Sequence, residues 1–285
     1  MSESCGTLYL CATPIGNLGD ITARVLATLA DVDLIAAEDT RNTLRLLTHF
    51  DIHTELTSYH EYNKVTKAQD LIGLLQAGKS IALVTDAGTP AISDPGEILV
   101  DRCHEAGIPV TSLPGPSAVI TALSLAGLPT RRFVFEGFLP GREDKKMRRT
   151  VLLALAKEPR TIVLYEAPHH LRMLLADLAE ALGADRRLAL CRELTKKFEE
   201  VTRITIGEAL AACDEKEPRG EYVLVIEGEG FEAAKARERA AWEEMSVAEH
   251  VAFYEAQGMP RKDAMKAAAR DRGISKNEVY KALLI

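Results

Sequence analysis

The chain has 285 residues, with 35 Lys and Arg against 42 Asp and Glu, and 47% of it is hydrophobic. That length suits about two globular domains, and an ordinary 27% of charged residues excludes a chain disordered throughout. The net charge of −7 excludes indiscriminate coating of nucleic acid but leaves room for a local basic patch.

In chain order, short apolar runs alternate with helical patterns. Thr7–Thr13, Asp33–Glu38, Ser80–Thr85 and Pro109–Leu113 are predicted strands, apolar nearly throughout, as in a parallel sheet covered on both faces. Asp20 is placed to cap a helix with Val25, Leu26, Leu29 and Val32 on one face. Pro95 suits the first turn of another helix, which Gly107 ends. Pro114–Pro129 reads as one apolar helix or a helical linker. A second α/β segment follows, with strands in Arg132–Phe138, Thr161–Ala167 and Arg187–Glu193. Two late strand runs, Glu199–Ile206 and Glu221–Gly228, are separated by a short helix, which predicts a mixed sheet. Beyond Gly230 only helical patterns remain. Gly273 divides the last two, and Ser275 with Glu278 is spaced for a capping box, giving a helix-turn-helix shape. The expected domains are residues 1–118, 119–230 and a helical tail, 231–285.

Five scattered cysteines without a CxxC pair fit a reducing compartment and offer no zinc spacing. The amino terminus lacks the basic and apolar regions of a leader, and Ser117–Leu128 falls short of the ~18 apolar residues a membrane span needs. A soluble cytoplasmic protein without a bound metal is expected.

Three small-residue loops follow strands. The first, Ala12–Asp20, suits backbone approach to a nucleotide-like ligand, but it has neither GxGxxG nor a phosphate-loop Lys, so a plain tight turn explains it equally well. The second, Val84–Gly96, lies where open α/β sheets bind ligands. Within it Asp94 is a candidate base, although capping the following helix is the commoner role for such a residue. In the third, Ser112–Val119, Ser117 has no adjacent histidine or GxSxG elbow and reads as an N-cap. Glu38, Asp39, Arg41 and His60 gather at strand ends and are further catalytic candidates. Half of such residues merely cap helices, and a lone histidine is more often structural.

Two basic stretches stand out on this acidic chain. Arg142–Arg149 includes Lys145, Lys146, Arg148 and Arg149, and reads either as a solvated helix face or as a phosphate grip at a site mouth. From Met259 onward seven basic residues meet three acidic ones, with Arg261, Lys262, Arg270 and Lys276 as candidate phosphate contacts. Packing of the tail explains that pattern equally well.

Taken together, ATPIGNLGDIT, AAEDTRNTLRLL, SYHEYN, VTDAGTPAISDPG, PGPSAVITALSLAGLP, FEGFLP, LYEAPHHL, CRELTKKFEE and GEYVLVIEG resemble the tetrapyrrole methylase superfamily. EDTRNT, the ISDPG run and RELTKKFEE resemble its small-subunit ribosomal RNA 2′-O-methyltransferase I branch. The resemblance covers about residues 7–228 and the tail. It implies an α/β fold of two domains, with a parallel sheet in the first and a mixed sheet in the second, and a cleft for S-adenosylmethionine between them. It also implies a homodimer, and as substrate a cytidine ribose in the decoding region of 16S rRNA or the small ribosomal subunit. By that resemblance the cofactor contacts fall on Ile15, Gly16, Gly88, Thr89, Ile92, Ser117, Ala118, Tyr165, Glu166, Glu221 and Tyr222. Thr13-Pro14-Ile15-Gly16 and Gly88-Thr89-Pro90 depart from the superfamily's Gly-rich loop and GDP, which weakens a tetrapyrrole substrate. The alternatives are a tetrapyrrole C-methyltransferase and a non-catalytic RNA-binding protein that senses S-adenosylmethionine.

Overall fold

The computed structural model describes residues 5–284. Residues 1–4, part of the amino terminus expected to carry no leader, and residue 285 lie outside the described residues. The first half is an all-parallel sheet of β1 (Leu8–Cys11), β2 (Leu34–Ala37), β3 (Leu56–Ser58), β4 (Ile81–Val84) and β5 (Val110–Leu113) in the order β3-β2-β4-β1-β5. β2 and β4 are buried at every position, which explains why their sequences are apolar runs and do not alternate. Helices α1 (Ala23–Asp31) and α2 (Thr40–His49) bury Val25, Leu29 and Leu47 on one face of the sheet. Helices α3 (Lys64–Gln76) and α4 (Glu97–Glu105) bury Leu71, Leu75, Leu99 and Cys103 on the other.

This winding places a crevice. From β1 the chain crosses β4 to reach β2, whereas from β4 it crosses β1 to reach β5. The two neighbouring strands therefore send their helices to opposite faces, and the loops leaving their carboxyl ends part. Those are the first and second small-residue loops of the sequence.

Helix α5 (Ala118–Ala126) leads into a mixed sheet of β6 (Phe133–Gly137), β7 (Thr161–Glu166), β8 (Arg187–Arg192), β9 (Glu200–Thr205) and β10 (Tyr222–Ile226), ordered β6-β7-β10-β8-β9. Only β6 and β7 are parallel neighbours. Val119, Ala122 and Leu123 of α5 pack on one face against Val163, Cys191 and Val225. Helices α6 (Lys145–Ala156), α7 (Pro168–Leu182) and α8 (Ile206–Glu215) cover the other with a leucine-rich core. Ile15 of the first loop packs into the α5 side of this second core, so the two sheets meet at the crevice.

The tail is helical: α9 (Phe231–Glu243), α10 (Val247–Ala256), α11 (Arg261–Arg272) and α12 (Lys276–Ala282). The last three share a small core of Val251, Ala264, Met265, Ala268 and Val279. Ser275 and Glu278 form the capping box that the sequence predicts. Within the tail, Arg272 is structural: it donates to the carbonyls of Trp242 and Met245 and to Nδ1 of buried His250. No described helix is long and apolar enough to cross a membrane.

Three expected caps differ. Thr22, not Asp20, caps α1, because Leu18–Asp20 form a 3-10 turn of their own. Asp94 does not cap α4, and Pro95 lies outside it: the helix begins at Glu97 behind Gly96. Ser117 occupies the N-cap position of α5, but its side chain makes no capping bond.

Candidate active site

A cavity of about 520 Å³ opens at the crevice, within the range of small-molecule sites. Its walls come from both halves of the chain. The first loop supplies Ile15, and the β4–α4 loop supplies Thr85, Asp86, Gly88, Thr89, Ile92 and Asp94. Ser117 and Ala118 open α5, while Tyr165, Glu166, Glu221 and Tyr222 come from the near ends of β7 and β10. All the residues assigned to the cofactor by resemblance line this cavity except Gly16. That glycine opens instead on a neighbouring depression of about 370 Å³, beside Thr13, Asn42 and Asp86.

The first two loops are tied backbone to backbone. Thr13 N–H donates to the Gly88 carbonyl at 2.8 Å, and Gly88 N–H donates back at 3.0 Å. Thr13 Oγ1 donates to the Thr85 carbonyl, and Thr89 Oγ1 to that of Pro116, so all three loops are held as one rim. Gly88 sits at φ +87°, where a side chain is strained, and a Cβ there would stand 3.5 Å from Ile15 and 3.8 Å from the Pro116 carbonyl. The glycine thus leaves open a cradle between the three loops.

Sequence reasoning missed a repeated device. Ala91 and Ser93, with φ +66° and +67°, flank Ile92; Glu193 and Thr195, with φ +50° and +66°, flank Leu194. Ile92 and Leu194 both line the cavity. Left-handed backbone at non-glycine residues costs free energy, and such residues collect at functional loops. No glycine marks these turns, so the sequence carries no signal for them. Phe138 is a further wall residue that sequence reasoning did not assign.

The floor is acidic. Glu38 accepts from Thr85 Oγ1 at 2.7 Å, and Asp86 accepts from the Asp39 N–H and from Asn42 Nδ2. Burial, and then the neighbouring Glu38 and Asp86 carboxylates, push Asp94 up to about 6, against the opposing influence of the nearby Thr85 hydroxyl. Burial chiefly raises Asp86 as well. Tyr165 is pushed up to about 12, first by burial and then by Asp94, which places these two groups within electrostatic reach of each other. A carboxyl with its proton affinity tuned toward neutrality, facing a cavity, is equipped to take up a proton.

The other catalytic candidates separate from this group. Asp39 caps α2 and forks onto Arg41, whose hydrogen bonds hold its carboxyl down to about 2. His60 donates its backbone N–H to Asn63 and is not part of the cavity wall. Of the basic run, Lys145, Lys146 and Arg149 are exposed, but Arg148 is buried. Its guanidinium donates to Asp177 at 2.8 Å and to the Pro140 carbonyl at 2.8 Å, so the expected phosphate contact is instead a structural pin. In the tail Arg261, Lys262, Arg270 and Lys276 are exposed, with Arg270 beside Asp271.

Comparison with known proteins fits this architecture. The tetrapyrrole (corrin/porphyrin) methylase family matches residues 7–210. The ribosomal RNA small subunit methyltransferase I of Halalkalibacterium halodurans is 48% identical, over 96% of this chain and 93% of that protein. Its counterpart in Escherichia coli O157:H7 is also 48% identical, over 99% and 96%. Among solved structures, a uroporphyrin-III C-methyltransferase from Thermus thermophilus, complexed with S-adenosyl homocysteine, superimposes with a TM-score of 0.55. It is 18% identical and spans 78% of this chain and 97% of that one, a likeness that speaks for the fold alone. The chain belongs to the tetrapyrrole methylase family, alongside the ribosomal RNA small subunit methyltransferases I, and it is an S-adenosylmethionine-dependent methyltransferase.

Proposed function

We propose that this protein methylates the 2′-hydroxyl of a cytidine ribose in the decoding region of 16S rRNA. The observation that carries the chemistry is the cavity itself, which joins a small-residue cradle to a carboxyl tuned toward neutrality. The substrate class is supported by the rRNA methyltransferases that resemble the chain over nearly its whole length.

The residues fit S-adenosylmethionine. That molecule has a flat base, an amino-acid end and a sulfonium but no phosphate, so it calls for backbone groups and space, not a phosphate loop. Gly88, Thr89, Ser117 and Ala118 offer small side chains and main-chain polar groups, and Ile15, Ile92, Tyr165 and Tyr222 offer apolar contact. Glu166 and Glu221 stand at the same wall. When bound, the cofactor supplies an electrophilic methyl group. Asp94 would take the proton that the ribose hydroxyl gives up as its oxygen accepts that methyl and the methyl–sulfur bond breaks, leaving the neutral thioether. Glu38 and Asp86 keep that carboxylate basic, and Thr85 fixes Glu38 by donating its hydroxyl to it. Holding the hydroxyl in line with the methyl supplies most of the remaining acceleration.

In this reading residues 1–118 and 119–230 form the two catalytic domains, and residues 231–285 a substrate-engaging tail. Lys145, Lys146, Arg149, Arg261, Lys262, Arg270 and Lys276 meet phosphates. The homodimer implied by the resemblance, and the cytoplasm as the place where small subunits assemble, belong to the same reading. Incubating the protein with labelled cofactor and either 16S rRNA or small subunits, then mapping methylated riboses by mass, tests it. One methylated cytidine ribose in the decoding region is expected; methylation of a base, or of a tetrapyrrole in its place, defeats the reading.

A further inference from the structure

At the cavity Phe138 is 60% exposed, and Ile92, from the first half of the chain, is 51% exposed. Water against two large apolar side chains at the mouth of a site is a standing cost that an apolar-faced ligand removes. The ring is also held in place. Gly137, at φ +69°, brings this loop so near the β4–α4 loop that a Cβ there would lie 3.2 Å from Ser93 Oγ. On its far side Leu139 is buried, and the Pro140 carbonyl is pinned by Arg148, itself paired with Asp177. The Tyr165 ring meets Phe138 edge-on at 5.6 Å, and Phe135 braces Tyr165 at 4.9 Å. Immediately beyond, exposed Lys145, Lys146 and Arg149 open α6.

We propose that Phe138 is the stacking platform for the base of the target nucleotide, turned out of its strand onto this ring at the rim of the cavity. This rests on the reading of the substrate as RNA. Every base has a π face, and a single-stranded nucleotide is commonly held by stacking on an aromatic ring while cations hold its phosphates. A base resting on Phe138 leaves its ribose toward the cavity that Asp94 faces, and its phosphates toward the start of α6.

The test uses the full-length protein with Phe138→Ala and Phe138→Trp. KM and kcat are measured on the RNA or small subunits, and the affinity for S-adenosylhomocysteine by calorimetry. Alanine should raise KM for RNA at least about tenfold, which corresponds to ~1.4 kcal/mol, and leave the S-adenosylhomocysteine affinity within about twofold. Tryptophan should restore KM. An unchanged KM in the alanine variant overturns the proposal. So does a loss of S-adenosylhomocysteine affinity as large as the loss for RNA, which would assign the ring to the cofactor. If the wild-type protein methylates no RNA at all, the substrate reading itself falls, and that result is separate from any change at Phe138.

Discussion

The second sheet has a cavity at each end, and the two differ in how their polar groups are used. The basin at the far end, about 1090 Å³, is the larger and gathers Arg131, Arg132, Arg160 and Arg186 at the start of β7 and the end of β10. Yet neighbours in the chain already engage most of its charge. Arg160 forks onto Glu158, Arg186 donates to the carbonyls of Leu182 and Glu227, and Arg132 lies over the Phe231 ring. Glu227 pairs with Arg187, and Glu229 with Arg237. This is a seam that fastens α9 to the sheet. The smaller cavity has the opposite economy: its carboxylates crowd one another, its loops are strained, and a glycine holds it open. Size follows from how elements meet, whereas a site is recognised by groups left in costly surroundings.

The comparison breaks first at Asp94. Asp94→Asn removes the proposed proton acceptor while keeping the shape, so kcat should fall by about 10²-fold or more with little change in cofactor affinity. In the wild type, kcat/KM should decline below about pH 6, as Asp94 becomes protonated. The same substitution sharpens the comparison through stability. Folding raises the Asp94 pKa from 3.8 to about 6, so the folded state holds its proton more tightly than the unfolded chain does. Wild-type stability is therefore lost as pH rises from about 4 to about 6, and the full penalty applies above that. Asn carries no such penalty. After allowance for solvent screening, Asp94→Asn should be more stable than wild type by ~1 kcal/mol at pH 7 and should lose this advantage below about pH 4. Thermal melts across that range check the sign; a destabilised variant at neutral pH would show that the carboxylate is not held at a cost.

Next comes the cradle. Gly88→Val places a branched side chain at φ +87° in the gap beside Ile15. Titration with S-adenosylhomocysteine should show affinity reduced by about tenfold or more, with a folding cost of ~1–2 kcal/mol from the strained backbone. A folded Gly88→Val protein that binds normally would move the cofactor elsewhere.

Much of this is legible in the amino-acid sequence. The buried parallel strands advertise themselves as apolar runs, and the strand order turns the small-residue loops into a crevice. The residues that the resemblance assigns to the cofactor, apart from Gly16, come together around one cavity because the loops that carry them leave strand ends at the same crevice. The misplaced details have local causes. Pro95-Gly96 forms a turn ahead of α4, which frees Asp94 from capping and aims it at the cavity. Arg148 sits among solvated lysines in sequence, but the helical period turns it toward α7 and Asp177. The left-handed residues around Ile92 and Leu194 have no glycine to announce them. Phe138 reads as one more apolar residue, and only its exposure at the rim sets it apart.

The smallest effect is expected in the larger cavity. The double substitution Arg131→Ala and Arg132→Ala removes two exposed guanidinium groups and the stacking of Arg132 over Phe231, at 5.3 Å from its centroid. An exposed contact of that kind stabilises by ~0.5–1 kcal/mol, so a small loss in melting temperature is expected from a looser α9 seam. Cofactor affinity should stay within about twofold, because no residue of the basin reaches the β4–α4 loop or the start of α5. Should this variant instead lose S-adenosylhomocysteine affinity tenfold, the contrast between the two cavities would collapse. The engaged charges of the basin would then have to be counted as part of a binding site, and self-pairing would no longer separate a seam from a cleft.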